Sequence, residues 1–331
     1  MTETFPYQQL NREQIIDQIN KLSVSEKPFL FIIDYKAETG FVIRQNELNE
    51  KFIRFETQNT KHQTQNVEHQ TISWLVKPVL QSNYKTKFDF VTDQIHQGNS
   101  FLVNLTQPTE VATNLSLLDI YTRSSAKYKL WIKDKFTVLS PETFVQICGR
   151  KISSFPMKGT IDASIPNAEQ IILNDPKEKA EHATIVDLIR NDLSIVADHV
   201  EVERYRYIDK LSTNKGDLLQ VSSEITGQLP ENYAEKLGNI IFSLLPAGSI
   251  CGAPKPKTLE IIEKAEGYNR GFYTGILGWF DGKNLDSAVM IRFIEQQSNK
   301  LIFKSGGGIT SQSELEKEYQ ELIQKVYVPL H

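Results

Sequence analysis

Cysteine is nearly absent. The 331 residues include two, Cys148 and Cys251, far apart in the chain. Two cysteines at that distance offer neither a metal-binding spacing nor a disulfide framework, and both read as buried thiols in a reducing compartment. Long apolar runs are missing too. No stretch can span a bilayer, and the start, MTETFPYQQLNREQ, is acidic and polar without a signal-peptide core. A cytoplasmic protein with no membrane partner is expected. Nor is there an excess of one charge: 37 Lys and Arg stand against 41 Asp and Glu, a net of -4. That balance gives no general attraction to nucleic acid. There is no G-x-G-x-x-G, no P-loop and no repeat of solenoid period, so nucleotide binding has no motif behind it.

What remains is ordinary globular material, 40% hydrophobic and 24% charged, enough for a large core in one or two domains. The pattern predicts helices over Glu13–Leu22, Lys85–Gln97, Ser116–Tyr121, Lys177–Asp192, Asn232–Leu244, Thr258–Glu266 and Glu314–Val326. Lys177–Asp192 is the clearest, with Asp175 as N-cap and Pro176 suited to the first turn. Strands are expected at Phe29–Asp34, Gly40–Arg44, Ser100–Leu105, Lys127–Ile132, Phe136–Leu139, Phe144–Cys148, Val200–Tyr205, Leu218–Thr226, Tyr273–Phe280, Ser287–Glu295 and Leu301–Lys304. Residues 57–71, rich in Gln, Asn, Thr and His, read as a loop. His62 and His69 there are solvated, since no carboxylate or third histidine completes a metal site. Many hairpin-length strands with interspersed helices indicate an α+β fold, mainly antiparallel. Residues 1–85 form a short N-terminal segment that contributes strands to the same fold as 86–328.

Three features carry chemistry. In Pro156-Met-Lys-Gly-Thr160, proline ends a strand and glycine permits a sharp turn, which fixes Lys158 between them. A lysine partly desolvated there can lose its proton and become a nucleophile. Next, Glu178 and Glu181 share a face of one helix, and Glu318, Glu321 and Lys325 share a face of the last. Carboxylates from two helices make a hard oxygen site suited to Mg²⁺, and nothing offers a softer metal an alternative. Finally, Gly306-Gly307-Gly308 is expected between a strand and a helix, where exposed backbone N–H groups favour an anion. Arg292, on an alternating strand, can fork a second carboxylate. Together these suggest a small dianionic substrate.

The second half closely resembles the chorismate-utilising enzymes, which include component I of anthranilate synthase and of aminodeoxychorismate synthase. The matching segments are Ser140-Pro-Glu142, Pro156-Met-Lys-Gly-Thr160, Glu181-His-Ala-Thr-Ile-Val-Asp-Leu-Ile-Arg-Asn-Asp192, Pro246-Ala-Gly-Ser-Ile-Cys-Gly-Ala-Pro-Lys255, Arg270-Gly-Phe-Tyr273 and Gly306-Gly-Gly-Ile309 through Glu318-Tyr-Gln-Glu321, in the family's order across 86–328. The resemblance implies two large antiparallel sheets packed together with helices outside, and chorismate as substrate. It implies Mg²⁺ on Glu181 and Glu321, with Glu178 and Glu318 one turn earlier holding its waters. Ser249, Thr160 and Lys325 would contact or approach the substrate. Tyr273, Arg292 and Gly306–Gly308 would hold its enolpyruvyl carboxylate.

Within the family, Lys158 resembles the lysine of aminodeoxychorismate synthases, where anthranilate synthases have alanine. Isochorismate and salicylate synthases carry a lysine base for water where this chain has Leu102. The family's histidine before the Val-Ser segment is Gln220 here, which removes an acid or base. The implied reaction has Lys158 attacking ring C2 while the C4 hydroxyl leaves with Glu142 as general acid. Ammonia from a separate glutamine amidotransferase subunit then adds at C4 and expels the lysine. The alternatives are anthranilate synthesis with Lys158 incidental, or a chorismate-binding subunit without turnover.

Overall fold

The computed structural model describes residues 4–58, 71–213 and 216–329. The expected loop over 57–71, with His62 and His69, lies almost wholly outside them. Among the described residues the strands form two antiparallel sheets. The first has ten strands. Its order is Leu10–Asn11, Thr39–Arg44, Phe29–Ile33, Ile276–Phe280, Leu285–Val289, Thr143–Cys148, Lys151–Ser154, Gly216–Gln228 and Met157–Asp162, with Asp198–Thr213 also paired to Gly216–Gln228. The second has eight: Gly252–Ala253, Leu102–Thr113, Lys300–Ile309, Phe293–Gln297, Phe136–Ser140, Tyr128–Ile132 and Ile53–Glu56, with Trp74–Lys77 also paired to Leu102–Thr113.

Alternation within single strands builds the layers. Phe29–Ile33 is buried at all five positions. Leu30 and Ile32 join a core with Leu130, Val138, Leu277 and Phe293, drawn from both sheets. Phe29, Phe31 and Ile33 turn to the other face and pack in a core that includes helix residues such as Ile19, Val91 and Ile241. Residues before 85 thus hydrogen-bond into both sheets: Phe29–Ile33 runs along Ile276–Phe280, Ile53–Glu56 along Tyr128–Ile132, and Trp74–Lys77 along Leu102–Thr113.

The described helices are α1 (Arg12–Val24), α2 (Gln81–His96), α3 (Leu117–Arg123), α4 (Ala168–Asn174), α5 (Pro176–Leu193), α6 (Leu237–Ser243), α7 (Lys255–Glu266) and α8 (Leu315–Gln324). Asp175 caps α5, accepting from the Glu178 N–H at 2.9 Å, with Pro176 at its first position. No helix is long and apolar enough to cross a membrane among the described residues.

Four findings depart from the sequence reading. Gly306–Gly308 lie inside the strand Lys300–Ile309, paired with Thr106, Leu105 and Asn104, rather than in a turn before α8. Glycine is needed there for close approach: a Cβ at Gly306 would stand 2.5 Å from the Leu105 carbonyl oxygen. Ser287–Glu295 is not one strand. Leu285–Val289 belongs to the first sheet and Phe293–Gln297 to the second, and Arg292 sits at the crossing with φ 49°. The segment Met157–Asp162 is itself a strand, with a register shift between Met157 and Thr160 that bulges Lys158 and Gly159 out of the ladder, Gly159 at φ 88°. Cys251 is buried, but Cys148 is exposed at its strand's end.

Candidate active site

A cavity of about 290 Å³ opens between the first-sheet strands, α5 and the end of the second sheet. Its polar wall brings together Lys158, Lys177, Glu181, Glu142 and Ser249, with Gly308 alongside. Leu102, Phe144, Phe155, Ile185 and Ile189 supply apolar surface.

Lys158 reaches in from the bulge. Its Nζ lies 2.7 Å from Glu181 Oε2, and Lys177, one turn before Glu181 on α5, stands 3.7 Å from Oε1. Burial alone would lower the Lys158 pKa. The negative charges of Glu181, Glu321 and Glu178 outweigh it, and the net shift is upward. This corrects the expectation of a lysine already depressed toward neutrality: the desolvation is present, but carboxylates surround the amine.

The acids on α5 and α8 converge on that amine. Glu178 packs against the bulge, so a Cβ on Gly159 would fall 2.9 Å from Glu178 Oε2, and that oxygen is buried without a hydrogen-bond partner. On α8, Glu321 binds Lys325 at 2.6 Å and Glu318 accepts from Ser313 Oγ at 2.7 Å. Burial raises the pKa of both Glu178 and Glu318. For Glu321 burial works upward too, but Lys325 and Lys158 hold it below the usual carboxylate range. Gly307 faces α8, its missing Cβ 3.5 Å from Glu318 Oε2 and 3.6 Å from Glu321 Oε1, and Lys325 Nζ donates to the Gly306 carbonyl at 3.1 Å.

Glu142 stands where the chain leaves Phe136–Ser140 of the second sheet for Thr143–Cys148 of the first. Burial raises its pKa against the lowering effects of the Ser249 hydroxyl, which donates to Oε1, and of Lys325. A half-buried carboxyl whose pKa is pushed upward suits proton donation.

Glu178, Glu318, Glu321, Lys325, Gly306 and Gly307 lie outside the cavity lining, as do Thr160, Tyr273 and Arg292. Thr160 is exposed one residue past the bulge, opposite Gln220, whose amide lies 2.9 Å from Met157 Sδ. Tyr273 is buried between the sheets, 5.9 Å from the Phe293 ring. Arg292 donates to the Tyr327 hydroxyl at 2.8 Å and stacks over its ring at 4.8 Å.

Sequence reasoning missed three supporting groups. Lys177 was readable from its i,i+4 spacing to Glu181. Asp192 and Lys255 pair at 2.8 Å at another part of the cavity, an ion pair between distant segments that no local pattern announces. Asn104 holds the Ser249 carbonyl at 2.9 Å, while the buried Arg270 binds the Asn104 and Ile250 carbonyls at 2.8 and 3.1 Å and pairs with Glu266.

The family profile described as chorismate binding enzyme matches residues 21–331. The chain belongs to the chorismate-binding enzyme family. It is 50% identical over 326 residues to the uncharacterized PabA-like protein PM1464 of Pasteurella multocida, covering 95% of this chain and 98% of that protein. It is 28% identical to aminodeoxychorismate synthase component 1 of Escherichia coli over 92% of this chain and 69% of that one. An isochorismate synthase from Bacillus anthracis shares the fold of this family member, with a TM-score of 0.73 at 19% identity over 97% of this chain and 89% of that one.

Proposed function

We propose that this chorismate-binding enzyme is component I of an aminodeoxychorismate synthase, forming 4-amino-4-deoxychorismate for 4-aminobenzoate and folate synthesis. The observation that carries the reading is Lys158 itself: a half-buried amine on a bulge that lines the same cavity as Glu142, whose pKa burial pushes up. Leu102 lines the same cavity and cannot activate water, which favours an amine over water as nucleophile.

The residues present fit Mg²⁺. The donors are carboxylates from two helices, and Glu178 keeps a buried oxygen without a partner. No three His, Cys, Asp or Glu side chains form a ready-made cage among the described residues. The donor type, carboxylate oxygen, suits a cation taking one or two carboxylates and completing its shell with water and substrate. Glu181 and Glu321 would hold it, with Glu178 and Glu318 behind. Bound there, Mg²⁺ would offset the carboxylate charge and leave burial, the lowering effect, in control of the Lys158 amine.

Neutral Lys158 then attacks ring C2 of chorismate, and both ring double bonds shift, C1=C2 to C1=C6 and C5=C6 to C4=C5, as the C4 hydroxyl departs as water with the Glu142 proton. Ser249 steadies that carboxyl through its hydrogen bond. Ammonia adds at C4, both double bonds return to C5=C6 and C1=C2, and Lys158 leaves C2 as a free amine. Gly306–Gly308, Tyr273 and Arg292 would serve the substrate's enolpyruvyl carboxylate, with Thr160 and Lys325 elsewhere along the substrate; Arg292 would exchange Tyr327 for that carboxylate. Ammonia comes from a glutamine amidotransferase partner, a role consistent with the "component 1" in the Escherichia coli relative's name. Incubation with chorismate, Mg²⁺ and ammonium tests the reading. A product with the mass of 4-amino-4-deoxychorismate supports it; anthranilate or no turnover refutes it.

A further inference from the structure

The mechanism leaves the Asp192–Lys255 pair unused. It ties the last turn of α5 to the first residue of α7. Lys255 Nζ lies 2.8 Å from Asp192 Oδ2, and the two side chains are only 18% and 12% exposed. Asp192 also lines the cavity that holds Lys158 and Glu142.

The pair grips the intervening chain at two points. Lys255 Nζ donates to the Leu244 carbonyl, just past α6, at 3.3 Å. Four residues on, Gly248 rests against the carboxylate: a Cβ there would stand 2.8 Å from Asp192 Oδ2 and 3.1 Å from Leu188 Cγ. Gly248 opens the single turn Gly248–Ile250, and the Cys251 N–H closes it by donating to the Gly248 carbonyl at 3.3 Å. The middle residue of that turn is Ser249. Its hydroxyl donates to Glu142 Oε1, and its carbonyl accepts from Asn104 at 2.9 Å. Arg270 holds the next carbonyl, that of Ile250, at 3.1 Å. The turn is thus hydrogen-bonded by Asn104 and Arg270 and seated by its glycine on the ion pair.

We infer that Asp192 and Lys255 are positioning residues: their ion pair seats Gly248 and so aims the Ser249 hydroxyl at Glu142. This rests on Glu142 being the acid of the reaction, and the test separates the two claims. Losing one charge would leave the other buried and unpaired, so Asp192→Leu and Lys255→Met are combined in a double variant. It is compared with wild type, Ser249→Ala and the triple variant, using chorismate, Mg²⁺ and ammonium. One readout is the alkaline limb of kcat against pH, with KM alongside. Burial raises the Glu142 pKa, Ser249 and, from α8, Lys325 lower it, and Tyr273 faces it too. Lys325 and Tyr273 are untouched in all four proteins. The second readout needs no substrate: amide hydrogen exchange over residues 245–253 by mass spectrometry, with the fully buried strand Phe29–Ile33 as reference.

The double variant should move the limb to higher pH, toward the position set by Ser249→Ala. It should also lower kcat about tenfold, with KM within about twofold, because small misplacements near a reacting centre are costly. In the triple variant the limb should stay where Ser249→Ala puts it. Exchange over 245–253 should quicken about tenfold while Phe29–Ile33 keeps the wild-type rate. If Ser249→Ala moves the limb and the double variant does not, the proposal is overturned. A further shift in the triple variant would overturn it as well, as would faster exchange throughout, Phe29–Ile33 included, which is general destabilisation. If Ser249→Ala itself leaves the limb in place, the Glu142 reading falls, and exchange over 245–253 then decides whether the pair seats the turn.

Discussion

Helices α5 and α8 present the same device, two glutamates one turn apart, in different surroundings. On α8 both acids have polar partners close by in sequence, Lys325 for Glu321 and Ser313 for Glu318. On α5 the partners are unequal. Glu181 takes a lysine from a distant strand, Lys158, and Glu178 keeps an oxygen with no partner against Gly159. Both α8 acids are satisfied by neighbours in sequence, whereas on α5 Glu181 shares itself between Lys177 and Lys158 and Glu178 goes unpartnered. Glu181 is thus the carboxylate that touches the Lys158 amine, while Glu321 of α8 adds its charge. Equal spacing on a helix face therefore does not mean equal roles.

The comparison can be broken most strongly at the paired acids. Glu181→Gln and Glu321→Gln are each expected to lower kcat about 100-fold or more, the range for removing a group that organises charge at a reacting centre. Chelation should do the same and Mg²⁺ should restore it. Full activity of either variant in chelator would dissolve the symmetry. Glu178→Gln and Glu318→Gln should cost about tenfold, as groups behind a metal site do. If α5 is the more demanding side, Glu178→Gln costs more. Steady-state rates at saturating chorismate decide this.

A smaller effect is expected at Arg292. Arg292→Ala should weaken chorismate binding by about 1 kcal/mol or a little more, the worth of a charged hydrogen bond. Titration calorimetry showing unchanged affinity would leave Arg292 as the partner of Tyr327 alone. The smallest effect concerns Glu142. Its pKa is raised by burial, so a rate needing its proton falls as pH rises through that value. The Ser249 hydrogen bond lowers the pKa, and Ser249→Ala should move this alkaline limb to higher pH. The same sign applies to stability. A carboxyl with a raised folded pKa stabilises least at high pH, so Glu142→Gln should raise the melting temperature at pH 8 relative to wild type, with the gain vanishing below the unfolded value near 4.5. A constant offset across pH would contradict it.

Much of this was legible in residue order because local chemistry dictated it. Asp175-Pro176 announced α5, and 3.6-residue spacing put both glutamate pairs on single faces. The misreadings came where distant contacts overrule local preference. Gly306–Gly308 look like a turn, yet they are strand residues because the Leu105 carbonyl leaves no room for a side chain. Ser287–Glu295 alternates as one strand, and nothing local says that the chain changes sheets at Arg292. The charge state of Lys158 depends on Glu178, Glu181 and Glu321, and the last of these is remote in sequence.

The central claim is that Lys158 bonds covalently to the substrate ring. Its most direct test is intact mass and peptide mapping of the protein incubated with chorismate and Mg²⁺ in the absence of ammonia. The account predicts an adduct on Lys158 that forms more slowly as pH falls, since only the neutral amine attacks, and that Lys158→Ala does not form while still binding chorismate. No adduct from enzyme that turns over when ammonium is supplied, or an adduct mapped to Lys255 or Lys325, would contradict it.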